Sequence, residues 1–401
     1  MKVCFKTFGC RLNKAEALQM EADYLAKGWA LTKRHAEADL FVVRGCSVTA
    51  RAQHECEKLI AHLKRHYPST PLKICGCLTT AHPQSEPRGN GHLARCTSEP
   101  LPTRTARAYL KAQDGCSGKC TFCIVPQFRG KSVSTPFDAL LDTAKRFIDS
   151  GYHEIVVTGC NLSLYCSQGK RLPELVAGLA GLDENCRIRL GSLEPGDCAM
   201  ETVHALAEHA NACRFLHIPV QSGSNQILQS MHRPYLIRDV ERLVGLAVGK
   251  LPNLGLGCDI MTGFPGESEL DFAATKSMLG RLPFNNAHIF PFSERPGTAA
   301  AKMENAIPRE LRSMRAHELA EVIRINRTRF ALSLVGKTAE IVVEDEKKRT
   351  GWTGEYVPCR ILGYAPRKAL VTVRIIKAKD GELEGVKIER NARTHDPDAS
   401  I

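Results

Sequence analysis

The sequence lacks any run of the roughly eighteen consecutive apolar residues that a bilayer-crossing helix needs. It also lacks the uninterrupted apolar stretch of a secretory signal near its beginning, where Lys6 and Arg11 break the pattern. Acidic residues are outnumbered, 43 against 55 lysines and arginines, which gives a formal net charge of +12. We therefore expect a cytoplasmic protein with no membrane partner, and the positive charge favours a polyanion such as a nucleic acid as a partner.

Cysteine, by contrast, is abundant, with 17 residues in a chain of 401. In a reducing compartment these cysteines are poor candidates for a disulfide framework, so the clustered ones indicate a metal ion or an iron–sulfur cluster. Isolated cysteines are by default small buried side chains. Cysteines in short motifs or at the ends of predicted strands are therefore the candidates for chemistry.

Residue patterns divide the chain into three segments of an α/β protein. Residues 1–80 alternate strands with amphipathic helices, which predicts a small parallel sheet of βαβαβ order. Residues 81–105 are rich in proline, glycine and polar residues, which predicts a linker. Residues 333–392 contain short alternating strands between glycine and acidic turns, which predicts a small antiparallel β-barrel. The predicted elements of the first segment are strands at 1–9, 39–45 and 72–76 and helices at 14–27 and 50–66.

The middle segment, residues 106–332, repeats a strand–loop–helix unit six times and ends in a long helix. Six right-handed crossovers of this kind make a partial (β/α)6 barrel that stays open. In such barrels the chemistry lies beyond the carboxyl ends of the strands, so the residues that follow the strands are the candidates for a site. The candidate strands lie at 107–113, 154–159, 187–192, 214–220, 255–263 and 286–292, and the long helix at roughly 308–332.

A cysteine loop follows the first strand of this barrel, where QDGCSGKCTFC places Cys116, Cys120 and Cys123 in a C-x3-C-x2-C spacing. Three thiolates from one short loop can hold a four-iron cluster and leave its fourth iron open. The open iron can chelate the amino and carboxylate groups of S-adenosylmethionine (SAM), and the reduced cluster can cleave SAM to a 5′-deoxyadenosyl radical. The alternative is a zinc knuckle, which would need a fourth Cys or His at short spacing, and the loop offers none.

These cysteines, extended by Pro126 and Arg129-Gly130, resemble those of the radical-SAM methylthiotransferase family. The resemblance implies a transferase with an N-terminal methylthiotransferase domain, a radical-SAM barrel and a C-terminal barrel of the TRAM type. Further matching motifs cover almost the whole chain: TFGCRLN at 7–13, VVTG at 156–159, SLEP at 192–195, HIPVQSGS at 217–224, GFPGE at 263–267 and PFSERPGT at 291–298.

The resemblance also implies a second [4Fe-4S] cluster, held by Cys10, Cys46 and Cys77. Each of these cysteines falls just beyond a predicted strand of the first segment, and parallel strands would bring all three to one edge of the sheet. Cys75 competes with Cys77, but strand alternation and the Gly-Cys match favour Cys77. The alternative is that the three are buried cysteines beside a loop.

Several departures from the family pattern lie in this first segment. Arg44-Gly45 stands where the family usually has Asn-Thr, and Leu78-Thr79-Thr80 stands where it has an aromatic residue and Ala-Gln. The linker also replaces the further strand–helix units that normally complete the domain. We therefore expect a shortened first domain.

Residues after the other barrel strands are the candidates for SAM contacts. Gly159 ends the VVTG motif, where the resemblance implies that the backbone runs past the methionyl amino group. Each candidate could alternatively be an ordinary surface-loop or helix-cap residue. The remaining candidates are Ser192 and Glu194 after the third strand, Gln221 after the fourth, Asp259 within the fifth, and Arg129 beside the cysteine loop.

The SLEP and GCRLN motifs resemble most the branch of the family that modifies N6-threonylcarbamoyladenosine next to the tRNA anticodon. The implied reaction converts C2–H of that adenine to C2–SCH3 with two SAM molecules per turnover. One SAM methylates sulfur on the second cluster, and the other gives the radical that removes the C2 hydrogen. The implied partners are the tRNA anticodon loop and an electron donor such as flavodoxin or ferredoxin, and we expect a monomer.

Other functions stay open at this point. The chain could act on isopentenyl-adenosine in tRNA or on a ribosomal protein, as other branches of the family do. It could also be a radical-SAM enzyme of different outcome, which would leave tRNA unthiolated. A metal-stapled RNA-binding protein without catalysis would bind tRNA and never cleave SAM.

Overall fold

The computed structural model describes residues 1–47, 50–78 and 105–389. Of the predicted linker at 81–105, only Thr105 is among the described residues, and the end of the predicted third segment, 390–392, lies outside them. None of the helices in the described ranges combines the length and the apolarity that a membrane crossing requires.

The N-terminal part is a four-stranded parallel sheet with one helix on each face. Strand alternation causes this arrangement, because Val3 and Phe5 pack with Tyr24 of the first helix while Cys4 packs with Ile60 of the second. The predicted parallel sheet is confirmed, with one short additional strand. In chain order the elements are β1 (Lys2–Thr7), α1 (Arg11–Ala26), β2 (Ala30–Leu31), β3 (Leu40–Gly45), α2 (Ala50–His66) and β4 (Leu72–Gly76), and the strands are ordered β2-β1-β3-β4.

The central part contains six parallel strands, each followed by a helical segment, and two additional pairs of short antiparallel strands. The elements are β5 (Ala108–Lys111), β6 (Gln113–Asp114), α3 (Val125–Arg129), β7 (Val133–Ser134), α4 (Phe137–Asp149), β8 (Glu154–Thr158), β9 (Cys166–Ser167), β10 (Lys170–Arg171), α5 (Leu172–Ala180), β11 (Arg187–Leu190), α6 (Asp197–Glu208), β12 (Phe215–Gln221), α7 (Asn225–Ser230), α8 (Ile237–Lys250), β13 (Gly255–Thr262), α9 (Glu269–Arg281), β14 (Asn286–Pro291) and α10 (Arg309–Ser333).

These six strands form the predicted partial barrel. β5, β8 and β11 pair in parallel, and so do β12, β13 and β14. Single bridges, Ile188 to Ala212 and Ser192 to His217, join the two halves. Among the described residues β14 does not pair with β5, so the barrel is open as predicted.

The C-terminal part is a closed barrel, as predicted, but one of its strand pairs is parallel. Its strands are ordered β15-β16-β17-β19-β18, and β17 pairs in parallel with β19. The reason is parity, because five strands that alternate in direction around a closed ring must leave two neighbours running the same way. The strands are β15 (Thr338–Asp345), β16 (Thr350–Thr353), β17 (Pro358–Leu362), β18 (Leu370–Lys379) and β19 (Glu382–Lys387).

A buried ion network joins the C-terminal barrel to the inner face of the central barrel. The carboxylate of the fully buried Glu154 accepts hydrogen bonds from Arg187 and from Nε of Arg189 (2.7 Å). Arg189 also donates to the carbonyl oxygens of Thr353 (2.8 Å) and Gly354 (3.1 Å). Burial favours the neutral acid, but the neighbouring arginines outweigh it and hold the pKa of Glu154 below its ordinary value. The carboxylate is therefore charged at neutral pH.

Replacing this carboxylate tests how firmly the two barrels are joined. Glu154→Gln should lower the free energy of unfolding by about 3–5 kcal/mol, because Arg187 and Arg189 stay buried without their counter-charge. The matched control is Glu241→Gln, which removes an exposed ion pair with Arg281 and should change stability by less than about 1 kcal/mol. Denaturant or thermal unfolding of the three proteins measures both changes, and equal losses in the two variants would contradict the assignment.

Candidate active site

The cysteine loop is held in place by backbone contacts on both sides. Gly115 begins it with φ +66°, and a Cβ on this residue would lie 2.1 Å from the carbonyl oxygen of Lys131. Only glycine therefore fits at this position. The backbone N–H of Cys116 donates to the Gly130 carbonyl (3.0 Å), and that of Thr121 donates to the Met231 carbonyl (3.1 Å). The loop is thus fixed to α3 and to the segment after α7.

The three thiols of this loop lie close to one another and are partly buried. The Gly118 N–H donates to Sγ of Cys116 (3.3 Å), and a Cβ on Gly118 would lie 3.2 Å from that sulfur and 3.9 Å from Sγ of Cys120. Burial raises the pKa of Cys123 to about 11, and burial likewise raises the pKa of Cys116. Cluster assembly would therefore release protons from these thiols, because thiolates are the metal ligands.

The spacing of the thiols fits a cluster better than a single ion. A tetrahedral zinc ion with Zn–S distances of about 2.3 Å holds its sulfur ligands about 3.8 Å apart. Among the described residues, the one group of three His, Cys, Asp or Glu ligand atoms that all lie within 4.8 Å of one another is a His–Asp–His set elsewhere in the barrel. At least one pair of sulfur atoms in the loop therefore lies more than 4.8 Å apart, farther than in a tetrahedral zinc site.

A polar network connects the cysteine loop to the next barrel strands. Arg233 donates from Nη1 to Sγ of Cys120 (3.0 Å) and from Nη2 to Oε1 of Glu194 (2.5 Å). The other carboxylate oxygen of Glu194 accepts from Nδ2 of Asn161 (2.7 Å). The predicted residue Glu194 is therefore brought next to the cysteine loop. The sequence does not identify Arg233 and Asn161, because only the folded barrel places Arg233 beside Cys120 and Asn161 beside Glu194.

Gly159 is also brought to this rim. A Cβ at Gly159 would lie 2.9 Å from Oε1 of Gln113, so glycine permits the VVTG turn to pack against the start of the cysteine loop. Gln113 fixes both turns, because its Oε1 accepts from the Asn161 N–H (2.9 Å) and its Nε2 donates to the Gly115 carbonyl (2.6 Å). Ser192 follows β11, and its side chain is exposed.

Gln221 has two unusual properties at the end of β12. Its backbone has φ +70°, a conformation that residues other than glycine seldom adopt. The pairing of β12 with β13 also shifts register at this residue. Its Oε1 is buried and has no hydrogen-bond partner within the described residues. Strained backbone and an unsatisfied buried acceptor are features of binding sites, so Gln221 is a good candidate to accept a hydrogen bond from a ligand.

The second set of cysteines lies at the carboxyl edge of the N-terminal sheet. Cys10 precedes α1, Cys46 follows β3 and Cys77 follows β4. A Cβ on Gly9, which has φ +88°, would lie 2.8 Å from Sγ of Cys46, so the first two turns are in close contact. The Cys77 N–H donates to the Gly45 carbonyl (3.1 Å), which joins the third turn to the second. The predicted convergence of the three strand ends is therefore present.

Cys75 points elsewhere, as strand alternation predicts. Its Sγ lies 4.0 Å from Sδ of Met20 on α1 and 3.8 Å from Nη1 of Arg44. Burial raises its pKa, which is the ordinary behaviour of a packed thiol. Cys77, not Cys75, therefore faces the edge that carries Cys10 and Cys46.

Arg129 connects the two sets of cysteines. Its Nε donates to Sγ of Cys77 (3.3 Å), and its Nη1 contacts Asp114 (2.8 Å), two residues before Cys116. The same guanidinium contacts both carboxylate oxygens of Glu16 on α1 (3.1 Å each). The sequence predicts Arg129 as a SAM contact, whereas in the structure its nitrogens contact protein groups between the two cysteine sets. The long-range partners Glu16 and Asp114 carry no sequence signal of this role.

Cys160 is a further cysteine beside the second set, although an isolated cysteine is by default expected to be a packing residue. Its Sγ lies 3.8 Å from Oδ1 of Asp114. Burial raises the pKa of Cys160 well above that of a free thiol, and the thiols of Cys10 and Cys77 act in the same direction. Its position directly after the VVTG motif was the signal that could have identified it.

Asp259 and Arg295 also have clear partners. The carboxylate of Asp259 is engaged by His217 and His288 on the neighbouring strands. Nη2 of Arg295, in the PFSERPGT motif, donates to the carbonyl of Ser47 (2.6 Å), directly after Cys46. Asp259 thus has partners apart from the network around Cys120, and Arg295 attaches the barrel to the N-terminal sheet.

Two family models match the two parts of the chain that carry the cysteine sets. A model described as the Radical SAM superfamily matches residues 110–279 and therefore includes the cysteine loop. A second, described as the uncharacterized protein family UPF0004, matches residues 2–93 and includes the N-terminal cysteines.

Similar proteins cover nearly the whole chain. The threonylcarbamoyladenosine tRNA methylthiotransferase MtaB of Aquifex aeolicus is 30% identical over 94% of this chain and 100% of its own length. The tRNA-2-methylthio-N(6)-dimethylallyladenosine synthase of Cereibacter sphaeroides is 28% identical over 98% of this chain and 96% of its own length. Among solved structures, the radical S-adenosylmethionine methyltransferase TsrM from Kitasatospora setae, 14% identical, shares the fold with a TM-score of 0.53 over 75% of this chain and 77% of TsrM. The cysteine motifs, the fold and this relationship together show that the chain belongs to the radical-SAM methylthiotransferase family.

Proposed function

We propose that the chain is a tRNA methylthiotransferase that converts C2–H of N6-threonylcarbamoyladenosine, next to the anticodon, to C2–SCH3. The observation that carries this proposal is the approach of two cysteine sets from different parts of the chain, with Arg129 between them. The cysteine loop of the barrel suits a cluster that cleaves SAM, and the N-terminal cysteines suit a second cluster that carries the sulfur to be transferred. The relative from Aquifex aeolicus, whose name specifies this nucleoside, supports the choice of substrate.

Cys116, Cys120 and Cys123 are assigned to the SAM-binding [4Fe-4S] cluster. When bound, this cluster supplies the electron that cleaves SAM to a 5′-deoxyadenosyl radical. Arg233 places a positive charge at the Cys120 sulfur and holds Glu194 at the same rim. The proposed SAM contacts are Gly159, Ser192, Glu194 and Gln221.

Cys10, Cys46 and Cys77 are assigned to a second [4Fe-4S] cluster. The guanidinium of Arg129 lies 3.3 Å from the Cys77 sulfur, where it would stabilise the negative charge of a thiolate ligand. Arg129 itself keeps its charge, because burial is outweighed by Glu16 and by the other acidic groups around it, which raise its pKa. Arg129 therefore belongs to this second site rather than to the SAM contacts.

The remaining parts fit an RNA substrate. The net charge of +12 favours phosphate contacts, and exposed basic residues of the N-terminal part include Lys33 and Arg34 and the pair Lys64 and Arg65 at the end of α2. An anticodon-loop base is accessible without unwinding a duplex. We assign residues 1–80, 106–332 and 333–392 to the three domains, with a monomer as the working unit and flavodoxin or ferredoxin as the electron donor.

The second candidate substrate is isopentenyl-adenosine in tRNA. The relative from Cereibacter sphaeroides, named for dimethylallyladenosine, covers the chain as completely as the relative from Aquifex aeolicus and is nearly as identical. The fold and the cysteine sets suit both nucleosides, so the experiment must distinguish them.

Mass spectrometry of tRNA nucleosides provides that experiment. Cells that lack their own threonylcarbamoyladenosine and isopentenyl-adenosine methylthiotransferases should regain 2-methylthio-N6-threonylcarbamoyladenosine when this chain is expressed. The matched control is Cys120→Ala, which should restore nothing. Recovery of the methylthio isopentenyl nucleoside alone would assign the second candidate, and recovery of neither with a cluster-loaded protein would reject both.

A further inference from the structure

A compact group of metal-ligating side chains lies on three adjacent strands of the barrel, apart from both cysteine sets. It consists of His217 on β12, Asp259 on β13 and His288 on β14. Oδ1 of Asp259 lies 3.0 Å from Nε2 of His217 and 3.1 Å from Nδ1 of His288. The three ligand atoms all lie within 4.8 Å of one another, and no other such group is found among the described residues.

Strand geometry brings these side chains together. β13 pairs in parallel with both neighbours, and Asp259 lies directly opposite His288 in the pairing with β14. Cys258 and Ile260, on either side of Asp259, belong to the main core beneath the helices, so the carboxylate points to the inner face of the barrel. Three neighbouring strands thus present the group on one wall.

The environment of the group combines burial with access from one side. The side chain of His217 is 8% exposed, that of Asp259 23% and that of His288 68%. The rings of the two histidines are 5.0 Å apart, and that of His217 is 6.4 Å from the ring of Phe215. An ion bound here would contact the buried ring of His217 on one side and would be open to solvent beside His288.

The charge of the group also suits a cation. Within the described residues Asp259 has no lysine or arginine partner, and its ion-pair partners are the two histidines. The ligand set is therefore one carboxylate with two imidazoles.

The distances match those of a coordination sphere. Ligand atoms that each lie about 2.1 Å from a metal ion are about 3.0 Å apart in octahedral coordination and about 3.4 Å apart in a tetrahedral zinc site. Two histidines and one carboxylate are the protein ligands of many catalytic zinc sites and of non-haem Fe²⁺ sites. Asp259 Oδ1 lies at such a distance from both histidine nitrogens.

We propose that His217, Asp259 and His288 form a mononuclear site for a divalent transition-metal ion, with Nε2, Oδ1 and Nδ1 as the respective ligands. The three side chains leave at least one coordination position for water or for an oxygen ligand on the open side of the site. The site contains no sulfur ligand, and it exists whichever nucleoside the enzyme modifies.

Zinc binding to the full-length protein with its iron–sulfur clusters assembled under anaerobic conditions tests this site. Equilibrium dialysis against chelator-buffered Zn²⁺ should give one zinc per chain with iron and sulfide contents unchanged. X-ray absorption at the zinc edge should show nitrogen and oxygen ligands at about 2.0–2.1 Å, with imidazole scattering and no sulfur at about 2.3 Å.

Matched variants separate this site from unspecific binding. Asp259→Asn and His288→Gln should each raise the zinc dissociation constant at least about 100-fold, because each removes one of three ligands. His317→Gln, which changes an exposed histidine on α10, should leave the constant unchanged. Circular dichroism and iron content verify that each variant is folded and loaded.

Three results would overturn the proposal: less than one zinc per chain at micromolar free Zn²⁺, sulfur in the zinc coordination shell, or equal affinity in wild type and His288→Gln. None of these results would contradict the proposed methylthio transfer, because the nucleoside assay tests that activity separately. In that case the three residues would be a hydrogen-bonded triad without a metal.

Discussion

Replacing Cys120 with alanine should abolish SAM cleavage and remove one of the two clusters. The reason is geometric, because the loop supplies three thiols and an alanine leaves two. The iron content of the reconstituted protein should fall from about eight to about four atoms per chain, since each cluster holds four. Formation of 5′-deoxyadenosine from SAM with dithionite should fall to background. Iron analysis and liquid chromatography measure the two losses.

The environment of Cys120 makes this the most informative position in the loop. Arg233 donates to its sulfur and also holds Glu194, so the loss of the thiol also removes the link between the cluster and the proposed SAM contacts. The control is Cys166→Ala, at an exposed cysteine on β9 outside both sets, which should retain all iron and full activity. Undiminished 5′-deoxyadenosine from Cys120→Ala, or a preference of the wild type for zinc over iron and sulfide at these thiols, would contradict the cluster assignment.

Replacing Cys77 with alanine should separate the two halves of the reaction. The second cluster should be lost, with iron again falling to about four atoms per chain, but SAM cleavage should continue because Cys116, Cys120 and Cys123 are intact. Methylthiolated tRNA should no longer form. Electron paramagnetic resonance of the reduced protein should show the remaining cluster alone, and nucleoside mass spectrometry should show no methylthio product.

Cys75→Ala is the matched control, because Cys75 lies two residues earlier, on the strand β4 that Cys77 follows. Its sulfur packs near Met20 and Arg44, so its loss should cost some packing energy, about 1 kcal/mol or less, and no iron. If Cys75→Ala lost the cluster and Cys77→Ala kept it, the assignment of the third ligand would be wrong. If both variants kept eight iron atoms, the N-terminal cysteines would not hold a cluster.

Much of the arrangement could be predicted from local patterns. The helix expected at 50–66 has these bounds in the structure, and all six central strands lie within two residues of their predicted starts. Cys10, Cys46 and Cys77 could be placed on one edge because parallel strands that end in cysteine must bring those ends together. These predictions rest on hydrophobic periodicity and on strand direction, both of which can be read from short stretches of sequence.

The remaining features depend on contacts between distant residues. The sequence EIVVTG indicates a buried strand, but it does not show that Glu154 meets Arg187 and Arg189 inside the barrel. Arg233 lies 113 positions from Cys120, and Glu16 lies 113 positions from Arg129, so no spacing rule connects them. Nor did the pattern show that His217 and His288 flank Asp259, because each lies on a different strand.

The salt bridges of Arg129 have a mechanical consequence. One planar group is tied to Asn13 and Glu16 on one side and to Asp114 on the other, so the N-terminal sheet and the barrel cannot swing apart without breaking these bonds together. The distance between the two cysteine edges is therefore set by the folded chain rather than by a hinge. In the proposed reaction, the separation that a transferred group crosses is thus held by the bonds of a single guanidinium.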